Sequence, residues 1–367
     1  MVAAPPAQAI AMMPEVLVQY ARQLLRCALV LFIMIGAVEP SHADARLLIV
    51  SGLGGDKNYS QQFRDWALQM RSAAVEHLGL AAQDVTWLCE SPQRDSTHCA
   101  GESRRDTIVD AIAQLLDDAP TYRPLMVLLI GHGTTRDGRA LFNVAGADLS
   151  ARDLDEVLSK DRSLRPLSSR SSSSSPSTRP ATKRWVAIVN TTPASASFVA
   201  LLAKPARIVI TATARDAEDD HTRFAAHFTA AYAAHSADAD RDGRVSLLEA
   251  FRFAVAEVAR EYAAKLQLST EHALLEDNAD GEGSLTPNVL ASDGAAAASF
   301  FLASAMRGEQ ASAARIALDS EARELVARVH ALRRRKVAMA AQDYEQQLES
   351  LLVELALNRR ATHEDGS

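Results

Sequence analysis

Residues 185–198 read WVAIVNTTPASASF. Residues 185–189 are apolar without interruption, and a proline and a run of small residues follow at once. A short, uninterrupted apolar run fits a strand buried on both faces rather than one with a wet side. The pattern recurs in RLLIVSGLGG (46–55), DVTWLC (84–89), PLMVLLIGHG (124–133) and ARIVITATA (206–214). Segments with helical spacing lie between these runs. YSQQFRDWALQMRSAAVEHL (59–78) gathers Phe63, Trp66, Met70 and Val75 near one face. DTIVDAIAQLLDDA (106–119), SARDLDEVLSK (150–160), with Ser150 as N-cap, and SFVALLA (197–203) are the other helices. Repeated strand–helix alternation predicts an α/β fold with a mostly parallel sheet and helices on both faces.

The chain has 367 residues and a net charge of −7, enough for one large domain or two modest ones. Hydrophobic residues make up 48%, much of it alanine, and aromatics only 5%. Mild acidity gives no reason to expect a nucleic-acid partner. The basic run Arg333-Arg334-Arg335-Lys336 is flanked by acidic residues and reads as a solvated helix face.

The N-terminus has the pattern of an export signal over residues 1–45. Arg22 and Arg26 precede the apolar run CALVLFIMIGAV (27–38), and small residues at Ala43 and Ala45 suit a signal peptidase. The apolar run is short for a membrane span, although a retained anchor is the rival reading. Export predicts a periplasmic or secreted protein with no membrane contact after cleavage. In that oxidising setting Cys89 and Cys99, in CESPQRDSTHC, are expected to pair. Residues 162–182 contain a serine-rich, low-complexity stretch and read as a disordered surface insertion. The chain from 307 to 367 reads as a helical hairpin and tail. Leu325, Val329 and Leu332 repeat on one helix, and Tyr344, Leu348, Leu351, Leu352 and Leu355 on the next, with Asp343 as cap. Such a hairpin either packs on the sheet domain or serves self-association.

Three stretches carry candidate chemistry. The turn SGLGGDKNY after the first strand has Gly52 and Gly54 but Lys57 where a dinucleotide fingerprint needs glycine, so a tight turn is the reading. The loop DADRDGRVSLLE (238–249) fills every position of an EF-hand calcium loop. Asp238, Asp240 and Asp242 stand at positions 1, 3 and 5, Gly243 at 6, the Arg244 carbonyl at 7, Ser246 at 9 and Glu249 at 12. Phe224, Phe228 and Tyr232 before it, and Phe251, Val255 and Val258 after it, supply flanking helices over 224–262. Calcium is therefore the expected cofactor, with Arg241 and Arg244 lowering affinity. A second acidic stretch, EDNADGEG, echoes the spacing at Glu276, Asn278, Asp280 and Gly281. It has Pro287 where position 12 would fall, and reads as a polar turn. The third stretch pairs LLIGHGT with VAIVNTTPASASF. His132 and the residues after Asn190 should meet at the carboxyl ends of neighbouring strands, where open α/β sheets bind ligands.

On these residues the chain resembles the caspase/legumain peptidase family, most nearly its legumain-like (hemoglobinase) branch. His132-Gly133 is similar to that family's histidine motif. VAIVNTTPASASF is similar to its nucleophile motif, with Asn190 at the acidic position, Thr191 at the small one and Thr192 in place of the cysteine. The resemblance covers roughly residues 45–306. It implies a caspase-like three-layer sandwich over 46–306, within which the EF-hand-like segment falls at 224–262 and after which the terminal hairpin follows. An alcohol needs a base bonded directly to it, and threonine's methyl crowds attack. The resemblance therefore implies a pseudo-peptidase whose old cleft holds a peptide or protein segment, to which the 238–249 loop adds calcium binding. The alternative is a hydrolase that uses Thr192, or Ser195, with His132 as general base.

Overall fold

The computed structural model describes residues 45–118, 123–161, 184–216, 221–289, 293–303 and 313–365. The expected leader, apart from Ala45, and the expected serine-rich insertion lie outside the described residues. Among the described residues no helix is long and apolar enough to cross a membrane.

In chain order the strands are β1 (Arg46–Ser51), β2 (Val85–Cys89), β3 (Gly101–Glu102), β4 (Leu125–Ile130), β5 (Gly133–Arg136), β6 (Arg139–Phe142), β7 (Leu149–Ser150), β8 (Val186–Asn190), β9 (Arg207–Thr211) and β10 (Leu274–Glu276). The helices are α1 (Lys57–Ser72), α2 (Arg105–Asp118), α3 (Ala151–Leu158), α4 (Phe198–Leu202), α5 (Phe224–Ala231), α6 (Leu247–Ala264), α7 (Ala313–Arg334) and α8 (Ala341–Asp365). Seven strands form one sheet in the order β10-β9-β8-β4-β1-β2-β3. All neighbours are parallel except β10, which runs antiparallel along β9. A small antiparallel sheet, β5-β6-β7, follows the His132 turn.

The apolar strands are continuous because both sheet faces are covered. Alternate residues divide between two cores, as a period of two requires. Leu47, Ile49, Met126, Leu128, Ala187 and Val189 face α1, α5, α6 and the terminal helices. Leu48, Val50, Val127, Leu129, Val186 and Ile188 face α2, α3 and α4. The β4 strand, LMVLLI, is buried at every residue.

Local signals start the helices where expected. Ser150 caps α3 in a reciprocal box with Asp153. On α1, Phe63, Ala67 and Met70 are buried, and the helix ends in a π turn at Ala73–His77. The α7–α8 hairpin packs on the domain: Leu325, Val326, Val329, Leu332, Leu351 and Leu355 belong to the first core, and the His330 ring lies 6.3 Å from that of Trp185. Asp343 differs from expectation by two residues, since α8 already begins at Ala341 and Asp343 sits in its first turn. The Cys89 and Cys99 sulfurs are 2.04 Å apart, a disulfide closing the loop between β2 and β3.

Candidate functional site

Strands β4 and β8 are neighbours in register, with Leu129 opposite Asn190. Their carboxyl ends therefore deliver His132 and Thr192 to the same edge of the sheet. Gly131 and Gly52 allow this edge to close: a Cβ on Gly131 would stand 3.0 Å from the Phe142 ring and 3.3 Å from Gly52 Cα. His132 is half-buried, with Tyr59 and Phe63 edge-on at 4.6 and 5.0 Å between ring centroids. Burial lowers its pKa; a hydrogen bond with the Gly54 backbone and the charge of Asp56 oppose that, and His221 adds to it. The imidazole is thus neutral around pH 7, the form a general base or a hydrogen-bonding side chain needs.

Thr192 is fully buried, and its Oγ1 has no hydrogen-bond partner. It is not bonded to His132. A Cβ on Gly133 would lie 2.7 Å from Thr192 Oγ1 and 3.1 Å from Ala194 Cβ, so the first residue of β5 presses directly on the hydroxyl. The turn is otherwise tightly bonded. Thr191 Oγ1 donates to the Leu129 carbonyl at 2.8 Å, the Thr192 N–H donates to Asn190 Oδ1 at 3.1 Å, and the Thr222 hydroxyl donates to the Thr191 carbonyl. Ser195 is also fully buried, with its Oγ 2.9 Å from Thr213 Oγ1 and accepting from the Thr213 N–H. Neither hydroxyl is open to a substrate carbonyl. The bonded polar atoms at this strand end serve the turn.

An open cleft of about 740 Å³ lies on the same edge, at the ends of β1 and β2 and against the start of α1. Phe63, whose ring meets His132, forms part of its wall. The rim mixes signs, with Lys57, Arg64 and Arg94 beside Asp56, Glu90 and Asp95. Asp56 caps α1 by accepting from Asn58 and Tyr59. The glycine turn is structural here, because a Cβ on Gly54 would strike the Ser60 nitrogen at 2.2 Å.

The 238–249 loop joins α5 to α6, whose aromatic faces pack with Phe224 and Phe251 ring centroids 6.1 Å apart. Asp238, Asp240 and Asp242 each offer an oxygen within 4.8 Å of the others'. Oxygens on opposite sides of a calcium ion bound at about 2.4 Å stand about that far apart, so the trio fits a hard cation. Backbone N–H groups hold the three side chains in place. The Asp242 N–H donates to Asp238 Oδ1 and Asp240 Oδ1, the Gly243 N–H to Asp238 Oδ2, and the Arg244 N–H to Asp242 Oδ1. Arg241 and Gly243 have φ of +58° and +81°, the left-handed turns that let the carboxylates point inward.

Two expected ligands, Ser246 and Glu249, are engaged with each other. Glu249 is N3 of α6 and forms a capping box with Ser246, accepting from its N–H and hydroxyl; its other oxygen accepts from Ala239 and Asp240 N–H groups. Burial raises its pKa, the bonds to Ser246 lower it, and the Asp240 charge raises it. The Arg244 guanidinium ties the loop to the first terminal helix. It pairs with Asp319 of α7 at 2.8 Å and with Asp242 at 3.3 Å, and lies 3.7 Å over the Phe301 ring. Arg359 of α8 lines the same pocket, where it feels the charges of Asp240 and Glu249; one of its guanidinium nitrogens is buried without a hydrogen-bond partner. Asp319 and Arg359 belong to this site through tertiary packing alone, and their sequence context carries no signal of it.

The second acidic stretch follows β10, where Glu276 is completely buried. Burial and the Asp293 charge push its carboxyl up to about 8, with the Ala279 N–H opposing, and Asp293 is pushed up to about 7, chiefly by burial. In comparisons with known proteins, no family model matches the chain and no curated protein matches it.

Proposed function

We propose that the chain is an exported, calcium-binding protein of caspase/legumain-like fold that no longer performs cysteine-peptidase chemistry and instead binds a peptide or protein segment. One observation carries this reading: the hydroxyl at the nucleophile position is fully buried beneath Gly133 and bonded to nothing. An alcohol without a base bonded to it is a poor nucleophile, and one without access cannot attack. The cleft at the ends of β1 and β2, on the same edge of the sheet, is open and carries both signs of charge, which suits an extended peptide with its own polar backbone and mixed side chains. The Asp238–Asp240–Asp242 oxygens support calcium as the ion, an all-oxygen donor set being calcium's preference. A disulfide between Cys89 and Cys99 supports a periplasmic or secreted location.

The test is peptide binding against peptide cleavage by the mature protein. A diverse peptide library should be retained without hydrolysis, and cleft substitutions such as Glu90→Ala or Arg94→Ala should weaken retention. Cleavage that disappears in both His132→Ala and Thr192→Ala would replace this reading with that of a hydrolase using His132 as base.

A further inference from the structure

Two loops in this chain share a pattern of hydrogen bonds and left-handed residues. In the first, the N–H of Asp242 donates to the side chains of Asp238 and Asp240, and the N–H of Arg244 donates to Asp242. In the second, the N–H of Asp280 donates to the side chains of Glu276 and Asn278 at 3.1 and 2.8 Å, and the N–H of Glu282 donates to Asp280 at 2.7 Å. Left-handed residues fall at the same two places: Ala279 and Gly281 at +66° and +85° match Arg241 and Gly243. A bridge between Leu275 and Ser284 closes the second loop.

Loop shape alone says nothing of a ligand. The Glu276 carboxyl does. The loop wraps it, with Oε1 accepting from the Ala279 and Asp280 N–H groups, while Oε2 is buried and has no partner. A carboxylate oxygen taken out of water and given no donor is costly, and a cation is one way to offset that cost. A second buried carboxylate stands nearby on a distant part of the chain. Asp293 is 2% exposed and is fixed by accepting from the Asp277 N–H, while Asp277 accepts from the Gly294 and Ala297 N–H groups. These bonds fix Asp293 against Asp277, the residue after Glu276, near enough for its charge to act on the Glu276 carboxyl. Asp293 thus supplies the acidic ligand that Pro287 cannot.

We infer that Glu276, Asn278, Asp280 and Asp293 form a second divalent-cation site, of the calcium class, at the end of edge strand β10. The donors are all oxygens, three of them from carboxylates, which selects a hard cation over zinc or copper. Asp280 is the most exposed of the four and accepts from the Glu282 N–H with one oxygen. The site is independent of the 238–249 loop and of peptide binding.

Calcium alone is the probe. The full chain, stripped of metal with a chelator, is dialysed against graded calcium chloride and the bound ion counted. The wild type should hold two ions per chain. Glu276→Gln should hold one, and Gln keeps an oxygen for the Ala279 and Asp280 amides, so the loop still closes. Asp280→Asn, on the surface, should fold normally and bind the second ion at least tenfold more weakly. Asp240→Asn combined with Asp242→Asn should remove the other ion and retain this one. A wild type that binds no calcium overturns the inference, and one that binds a single ion overturns it if Glu276→Gln leaves that ion in place. So does a count of two that persists in both Glu276→Gln and Asp280→Asn. Loss of both ions in the Asp240/Asp242 variant, with the protein still folded, overturns it as well.

Discussion

Thr192→Val exchanges a buried hydroxyl for a methyl of nearly the same shape. The site is unusual in that the hydroxyl has no partner to lose: Oγ1 is unbonded, the residue is fully buried, and Gly133 presses against it. A buried hydroxyl without a hydrogen bond costs about 1–3 kcal/mol relative to its state in water, and valine removes that cost. Unfolding entropy of about 2.1 cal/mol/K per residue, over a domain of roughly 300 residues, converts each kcal/mol into about 1.5 °C. The variant should therefore melt about 1.5–5 °C above wild type in a reversible thermal scan followed by circular dichroism. The same variant should bind peptide unchanged. A melting temperature below that of wild type would mean that the hydroxyl is bonded in solution, and the argument for a vacated nucleophile would fail with it. Loss of a measured peptidase activity in Thr192→Val would refute it more directly.

Calcium should raise the melting temperature, by the equivalent of about 2.7 kcal/mol at one hundred times its dissociation constant, and Asp240→Asn combined with Asp242→Asn should remove the part due to the 238–249 loop. An unchanged melting temperature in calcium would remove the metal from the account. Arg359→Met takes a positive charge from beside Asp240 and Glu249, and about 1 kcal/mol of relieved repulsion should tighten calcium binding roughly fivefold by calorimetry; unchanged or weaker binding would contradict it. In chelator, stability should fall as pH rises from 6.5 to 8. Glu276 and Asp293, raised to about 8 and about 7, keep protons in the folded chain that the unfolded chain has already released. His132 does not confuse that window, since its lowered pKa makes stability rise with pH only below 6.5. Saturating calcium should flatten the slope, and a melting temperature that climbs between pH 6.5 and 8 in chelator would show the carboxyls to be ionised.

The layered α/β architecture was legible because buried parallel strands must be apolar at every residue. WVAIV at 185–189 and LMVLLI at 125–130 have no polar face to mislead the reading, and Ser150 announces its helix by a bond only three residues long. The turns at Gly52 and Gly243, the Cys89–Cys99 pairing and the three loop aspartates were equally plain, each being a matter of spacing within a dozen residues. His132 and Thr192 were placed correctly at neighbouring strand ends. Whether their polar atoms meet was beyond the sequence, because that depends on Gly133 arriving from β5 to cover Thr192. The second acidic loop was read as a polar turn because its local pattern ends in Pro287, and its missing carboxylate comes from Asp293. Likewise Asp319 and Arg359 reach the first loop only when the terminal hairpin docks. Local spacing determines which backbone turns and which ligands a short loop can offer. Burial, access and the charges that arrive from far along the chain exist only once the layers have packed, and those decide whether an oxygen here is a nucleophile, a cap or a ligand.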